Sequence, residues 1–73
     1  MVELIRSRTG NAKVELPVLK FVASMHYGNK RWYVGITDKD TGLCHAVQTH
    51  KSRQAALNAL NRWIEVYNEL HPS

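Results

Sequence analysis

Apolar and polar residues alternate with a period of two through the middle of the chain, then recur every three to four positions near its C-terminal end. The first regime is that of half-buried strands, the second that of an amphipathic helix. Val18–His26 is rich in β-branched and apolar residues and runs into Gly28-Asn29, a turn signal. Arg31–Thr37 alternates aromatic and β-branched side chains. Asp38-Lys-Asp-Thr-Gly42 then reads as a hairpin, with Asp opening a turn and Gly42 taking the left-handed position. Leu43–Thr49 is the third strand, and short turns between consecutive strands imply an antiparallel meander. Ser52 is a helix N-cap for Arg53–Leu70, in which Leu57, Leu60, Ile64 and Tyr67 form an apolar stripe. Ala56, Trp63 and Leu70 widen that stripe, while Asn58, Asn61, Arg62, Glu65, Asn68 and Glu69 fall mostly opposite. Pro72 stops the helix. The expected fold is α+β: a three-stranded antiparallel meander packed on one C-terminal helix over residues 17–71.

Alternation also assigns the faces. Leu19, Phe21, Ala23 and Met25, with Trp32, Val34 and Ile36, belong under the helix. Lys20, Ser24, His26, Arg31, Tyr33 and Thr37 then share the open face. On the third strand, burying Leu43 and Val47 places Gln48 and His50 on the open face, and a bulge near Gly42 reverses this assignment. Residues 1–16 carry weaker signals. Val2, Leu4, Val14 and Leu16 hint at extended structure around a polar, basic stretch from Arg6 to Lys13. They read as an N-terminal basic arm or a short edge strand.

Charge sharpens this picture. Residues 1–31 hold six cations against Glu3 and Glu15, a surplus of +4 that equals the net charge of all 73 residues. Residues 32–73 hold four of each sign. One small core is all that such a length supports. Cys44, the sole cysteine, excludes an intramolecular disulfide and suits a reducing cytoplasm. No apolar run reaches the roughly 18–20 residues that span a bilayer, and Met-Val-Glu-Leu-Ile-Arg6 is too polar for a signal peptide.

Catalytic and metal chemistry find little support. Cys44-His45 with His50 and His26 lacks the paired spacings of structural zinc sites, and neighbours on a strand point to opposite faces. No acid or oxyanion loop accompanies Cys44, and Asp38 and Asp40 suit a turn for backbone reasons. No enzyme activity, cofactor or metal is expected. Tyr33-Val-Gly-Ile-Thr-Asp38 is similar to half of a GIY-YIG nuclease signature, whose other parts are missing.

Lys30-Arg-Trp-Tyr-Val-Gly-Ile-Thr-Asp-Lys-Asp-Thr-Gly42 and Thr49-His-Lys-Ser-Arg-Gln-Ala-Ala56 resemble the second strand, hairpin and helix start of the arm-site DNA-binding domains of tyrosine integrases. The related plant ethylene-response DNA-binding domain has the same order of elements. The resemblance covers about residues 18–67. It implies a sheet lying in the major groove, with contacts from Lys20, Arg31, Tyr33, Thr37 and Gln48. The third strand departs from that family in carrying only neutral residues. Hic-type antitoxins and several phage-encoded inhibitors share a similar element order.

The leading expectation is therefore a small, non-enzymatic protein whose open sheet face and N-terminal segment, through Arg6 and Arg8, bind duplex DNA. The alternative is a mobile-element interaction module, inhibitor- or antitoxin-like, that meets an acidic protein surface and uses Trp63 and Tyr67 at its interface. Either could also form a homodimer through an exposed sheet edge.

Overall fold

A computed structural model describes residues 1–72. Four strands, β1 (Ala12–Leu16), β2 (Phe21–Gly28), β3 (Arg31–Asp38) and β4 (Cys44–His50), precede one helix, α1 (Arg53–Leu70). They form a single antiparallel sheet in sequence order, with α1 across one face. The fold is the expected α+β meander, and the short edge strand entertained for the N-terminal region is β1. No helix among the described residues is long and apolar enough to cross a membrane.

Local chemistry sets each boundary. Leu16-Pro17-Val18-Leu19-Lys20 makes the β1–β2 turn, closed by Leu19 N–H donating to the Leu16 carbonyl at 3.1 Å. Lys20 sits there at φ 57°, so β2 begins at Phe21 rather than Val18. Asn29 and Lys30, at φ 51° and 62°, form a two-residue hairpin turn whose left-handed backbone matches the strand twist. In the β3–β4 hairpin Asp38 Oδ1 accepts from Asp40 and Thr41 N–H at 2.8 and 3.1 Å, and Gly42 takes φ 76°. Ser52 caps α1 by accepting from Ala55 N–H at 3.2 Å.

The core is one layer thick. Ala23, Met25 and Val34 from the sheet meet Ala56, Leu57, Leu60, Ile64 and Tyr67 from the helix, and Leu16 joins from β1. Tyr67 is buried and its hydroxyl accepts from Val18 N–H at 3.2 Å, whereas Leu70 is exposed. Tyr67 therefore belongs to the core and is unavailable as interface, contrary to the expectation for the alternative function.

Two further expectations are corrected. Residues 1–11 are not a free arm but a strap along α1, with Val2 and Ile5 packed against the core. Asn68 accepts from Val2 N–H at 2.9 Å and donates to the Val2 carbonyl at 2.8 Å; Asn61 does the same for Ile5 at 2.8 and 3.1 Å. Each asparagine thus takes the place of a peptide group on a neighbouring strand. The spacings agree because three extended residues and seven helical ones both span about 10 Å.

β4 is the second correction. The register passes from Thr37↔Cys44 to Ile36↔Ala46, which leaves His45 as a bulge. One inserted residue exchanges the two faces beyond it. Gln48 and His50 stand opposite Val34 and Trp32 on the helix side, while Val47 stands opposite Gly35 on the open face. Leu43 and Val47 are exposed.

Candidate nucleic-acid interface

The residues assigned to a DNA-binding face do not form one surface. Arg31, Tyr33 and Thr37 do point to the open face, through the pairs Gly28↔Arg31, His26↔Tyr33 and Val22↔Thr37. Gln48 lies on the other side of the sheet. Lys20 belongs to the turn at the opposite end of β2, about 23 Å of strand from Arg31. It faces Asp40 at 4.0 Å. Arg6 lines a groove on the helix layer with Glu65 and Glu69, and Arg8 lies further along the strap. The face itself is sparsely charged: Lys13, Glu15 and Arg31 stand among Val22, Ser24, His26, Tyr33, Thr37, Cys44, Val47 and Thr49.

Charge is instead sorted along the length of the sheet. Three segments meet at one end: residues 7–11, residues 26–33 around the β2–β3 turn, and residues 48–55 where β4 passes into α1. Tyr27 N–H donates to Asn11 Oδ1 at 3.2 Å, and Trp32 pairs with His50. The Arg53 guanidinium ties the segments together, donating to the Gly10 carbonyl at 3.1 Å and the Ser7 carbonyl at 3.0 Å. It also lies 6.0 Å from the centre of the Trp32 ring.

These segments contain Arg8, Lys30, Arg31, Lys51 and Arg53, five of the ten cations, and none of the six carboxylates. The other five cations all have acidic neighbours: Lys13 stands at mid-sheet, two residues from Glu15 on the same face. Lys20 faces Asp40, Lys39 pairs with Glu15 at 3.2 Å, Arg62 is 3.9 Å from Glu65, and Arg6 shares its groove with Glu65 and Glu69. Among the described residues none of these five makes an ion pair. The basic end thus carries +5 and the remainder −1, which together give the net +4.

Two features add to the field at this end. The α1 N-terminus lies here with no acidic residue in its first turn, so its partial positive charge is not offset. Aromatic surface is interleaved with the cations: His26 stacks on Tyr33 with centroids 5.3 Å apart, and exposed Tyr27 meets Trp32 at 5.3 Å. Guanidinium, ammonium and phenol groups on a rim of this kind suit phosphate oxygens and base edges.

At the far end both signs are present and paired, Asp40 with Lys20 and Glu15 with Lys39. Asp38 is held below the ordinary carboxylate range by the N–H groups of Thr41 and Asp40, with a smaller contribution from His45 at 3.7 Å. The four residues considered for zinc do not converge: Cys44 is on the open face near this end, His45 beside Phe21, His50 on the helix side at the basic end, and His26 on the open face against Tyr33. Among the described residues no group of three or more His, Cys, Asp or Glu is placed to hold a metal ion.

Comparison with family models, curated proteins and solved structures gives no match. The chemistry of this end must carry the functional reading by itself.

Alternation along strands does not pick out Lys30, Lys51 and Arg53, because they lie in turns and at the helix start. The signal available in the sequence was the absence of acids. Residues 16–37 and 41–64 are long stretches without Asp or Glu, and the β2–β3 turn and the start of α1 fall inside them.

Proposed function

We propose that this protein binds duplex DNA, and that the contact is made by the basic end and the adjoining corner of the open face. The observation that carries this reading is the meeting of five cations from three segments with no carboxylate among them. The Gly28–Arg31 tip of the β2–β3 hairpin stands just beyond the last β3–β4 pair, Trp32↔His50, with Asn29-Lys30 foremost towards the major groove. Arg31 at the base of the turn and Tyr33 beside it are placed to reach base edges or sugars. Arg8 and Lys51 flank the tip and meet the two phosphate backbones, while Arg53 holds their segments in place. Cys44, exposed and unpaired, fits residence in the reducing cytoplasm.

The test is duplex binding as a function of salt. With about four phosphate contacts, affinity falls about 10²-fold between 50 and 200 mM salt. Replacing Lys30 and Lys51 together by Ala lowers the logarithmic salt slope by about two, while Lys39→Ala leaves it unchanged. Absence of binding at low salt, or equal effects of Lys39→Ala and Lys30→Ala, overturns the reading.

A further inference from the structure

β4 is an unusual strand. Apart from His50, whose Nε2 is shielded, its residues are exposed, and among the described residues it is the one strand with no member in the core. It also carries no charged residue: Cys44-His-Ala-Val-Gln-Thr-His50 is neutral apart from histidine titration. Its outer edge presents unpaired backbone donors and acceptors, because the sheet ends there. The opposite edge is defended. β1 is shorter, alternates Lys13 and Glu15 outward and is closed by Pro17, the devices that discourage strand addition. β4 has none of these.

The charges flanking β4 point to its occupant. Asp38-Lys39-Asp40, net −1, precedes it, and Lys51 and Arg53, net +2, follow it. A neutral strand with an acidic start and a basic end is complementary to itself when reversed. We propose that two copies of the chain pair antiparallel along β4 about a two-fold axis at Val47, joining their sheets into one of eight strands. Val47 is the midpoint of Cys44–His50, and about it Ala46 faces Gln48 of the second copy. Beyond that pair the bulge at His45 shifts the ladder by one, so Cys44, on the open face, stands opposite Thr49 of the second copy. The two Val47 side chains, each 57% exposed in the single chain, cover one another on the open face. The basic end of each copy comes beside the acidic hairpin of the other, which offsets the repulsion between two chains of net charge +4.

The inference does not depend on DNA binding, and its test contains no nucleic acid. Sedimentation equilibrium over about 10 μM to 1 mM suits the weak association expected of a small interface. The apparent mass should rise from 8.4 kDa towards twice that value and stop there. Val47→Lys and Val47→Glu each set like charges opposite one another at the axis, and each should weaken self-association about tenfold or more. An equimolar mixture of the two variants restores a 1:1 pair. Because Val47 is exposed, both variants should keep the circular dichroism and melting temperature of a folded chain. A chain that stays monomeric throughout, assembly beyond two copies, or pairing untouched by both variants overturns the proposal.

Discussion

Single residues at the basic end serve backbone geometry and charge at once, and Lys30 separates the two. A two-residue hairpin turn of this hand favours Asn-Gly, yet a lysine stands at φ 62°, where a β-carbon is strained by about 1 kcal/mol. Lys30→Gly should therefore stabilise the fold by up to about 1 kcal/mol while weakening duplex binding. Melting temperature and affinity would move in opposite directions, an outcome that generic damage to the protein cannot produce. Asp38 makes a matching case at the far end. Its carboxylate accepts two backbone N–H bonds, so its pKa lies below the ordinary value in the folded state. A depressed pKa contributes stability that is present above the unfolded value, near 3.9, and lost as pH falls through the folded one. Hairpin amides at Asp40 and Thr41 should keep their protection at pH 5 and lose it only as pH falls below the ordinary Asp value. Asp38→Ala should abolish that pH dependence, which hydrogen exchange by NMR would read.

At the scale of elements, the strap is held by polar groups that ordinary amphipathic analysis assigns to solvent. Asn61 and Asn68 each satisfy one N–H and one carbonyl of the strap. Asn61→Ala removes two hydrogen bonds from partly buried groups and should cost about 1–3 kcal/mol. That is a large share of the roughly 4–11 kcal/mol expected for a domain of this length at 0.05–0.15 kcal/mol per residue. Asn61→Asp keeps the acceptor for Ile5 N–H but turns the donor into a repulsive oxygen, so it should fall between the wild type and Asn61→Ala. Faster exchange at Val2 and Ile5, ahead of the sheet amides, would show the strap lifting as a unit. The limits of the sequence lie in the same place. The α1 boundaries, its Ser52 cap, the Asp38–Gly42 hairpin and the buried faces of β2 and β3 follow from local periodicity and turn chemistry, and all are legible. The strap and the faces of β4 are not. An asparagine clamp looks like any polar helix position, and one bulged histidine reverses a strand without changing its composition. The candidate site depends on both features, since the strap delivers Arg8 to the basic end and the bulge removes Gln48 from the open face.

At the scale of the whole molecule, 36 × 26 × 15 Å in extent, the polarity of charge along the sheet and the proposed pairing along β4 have a joint consequence. A two-fold axis perpendicular to the sheet keeps both open faces on one side and sends the two basic ends in opposite directions. Arg31 and its mate are then separated by three strand spacings, about 14 Å, and by four residues of strand on each side of Val47, about 26 Å in all. The combined distance is about 30 Å, close to the 34–36 Å of one turn of B-DNA. Two corners so placed meet one side of a duplex about one turn apart. A duplex of about 8 base pairs spans only about 27 Å and engages one corner, whereas one of about 16 base pairs engages both. The logarithmic salt slope should therefore roughly double between these lengths, a step rather than a gradual rise, because each corner brings its own set of displaced counterions. Fluorescence anisotropy on a ladder of duplex lengths would measure it. A slope that grows in proportion to length would mean independent single chains spread along the DNA, and would separate the two proposals: binding through the basic end would stand without the pairing of β4.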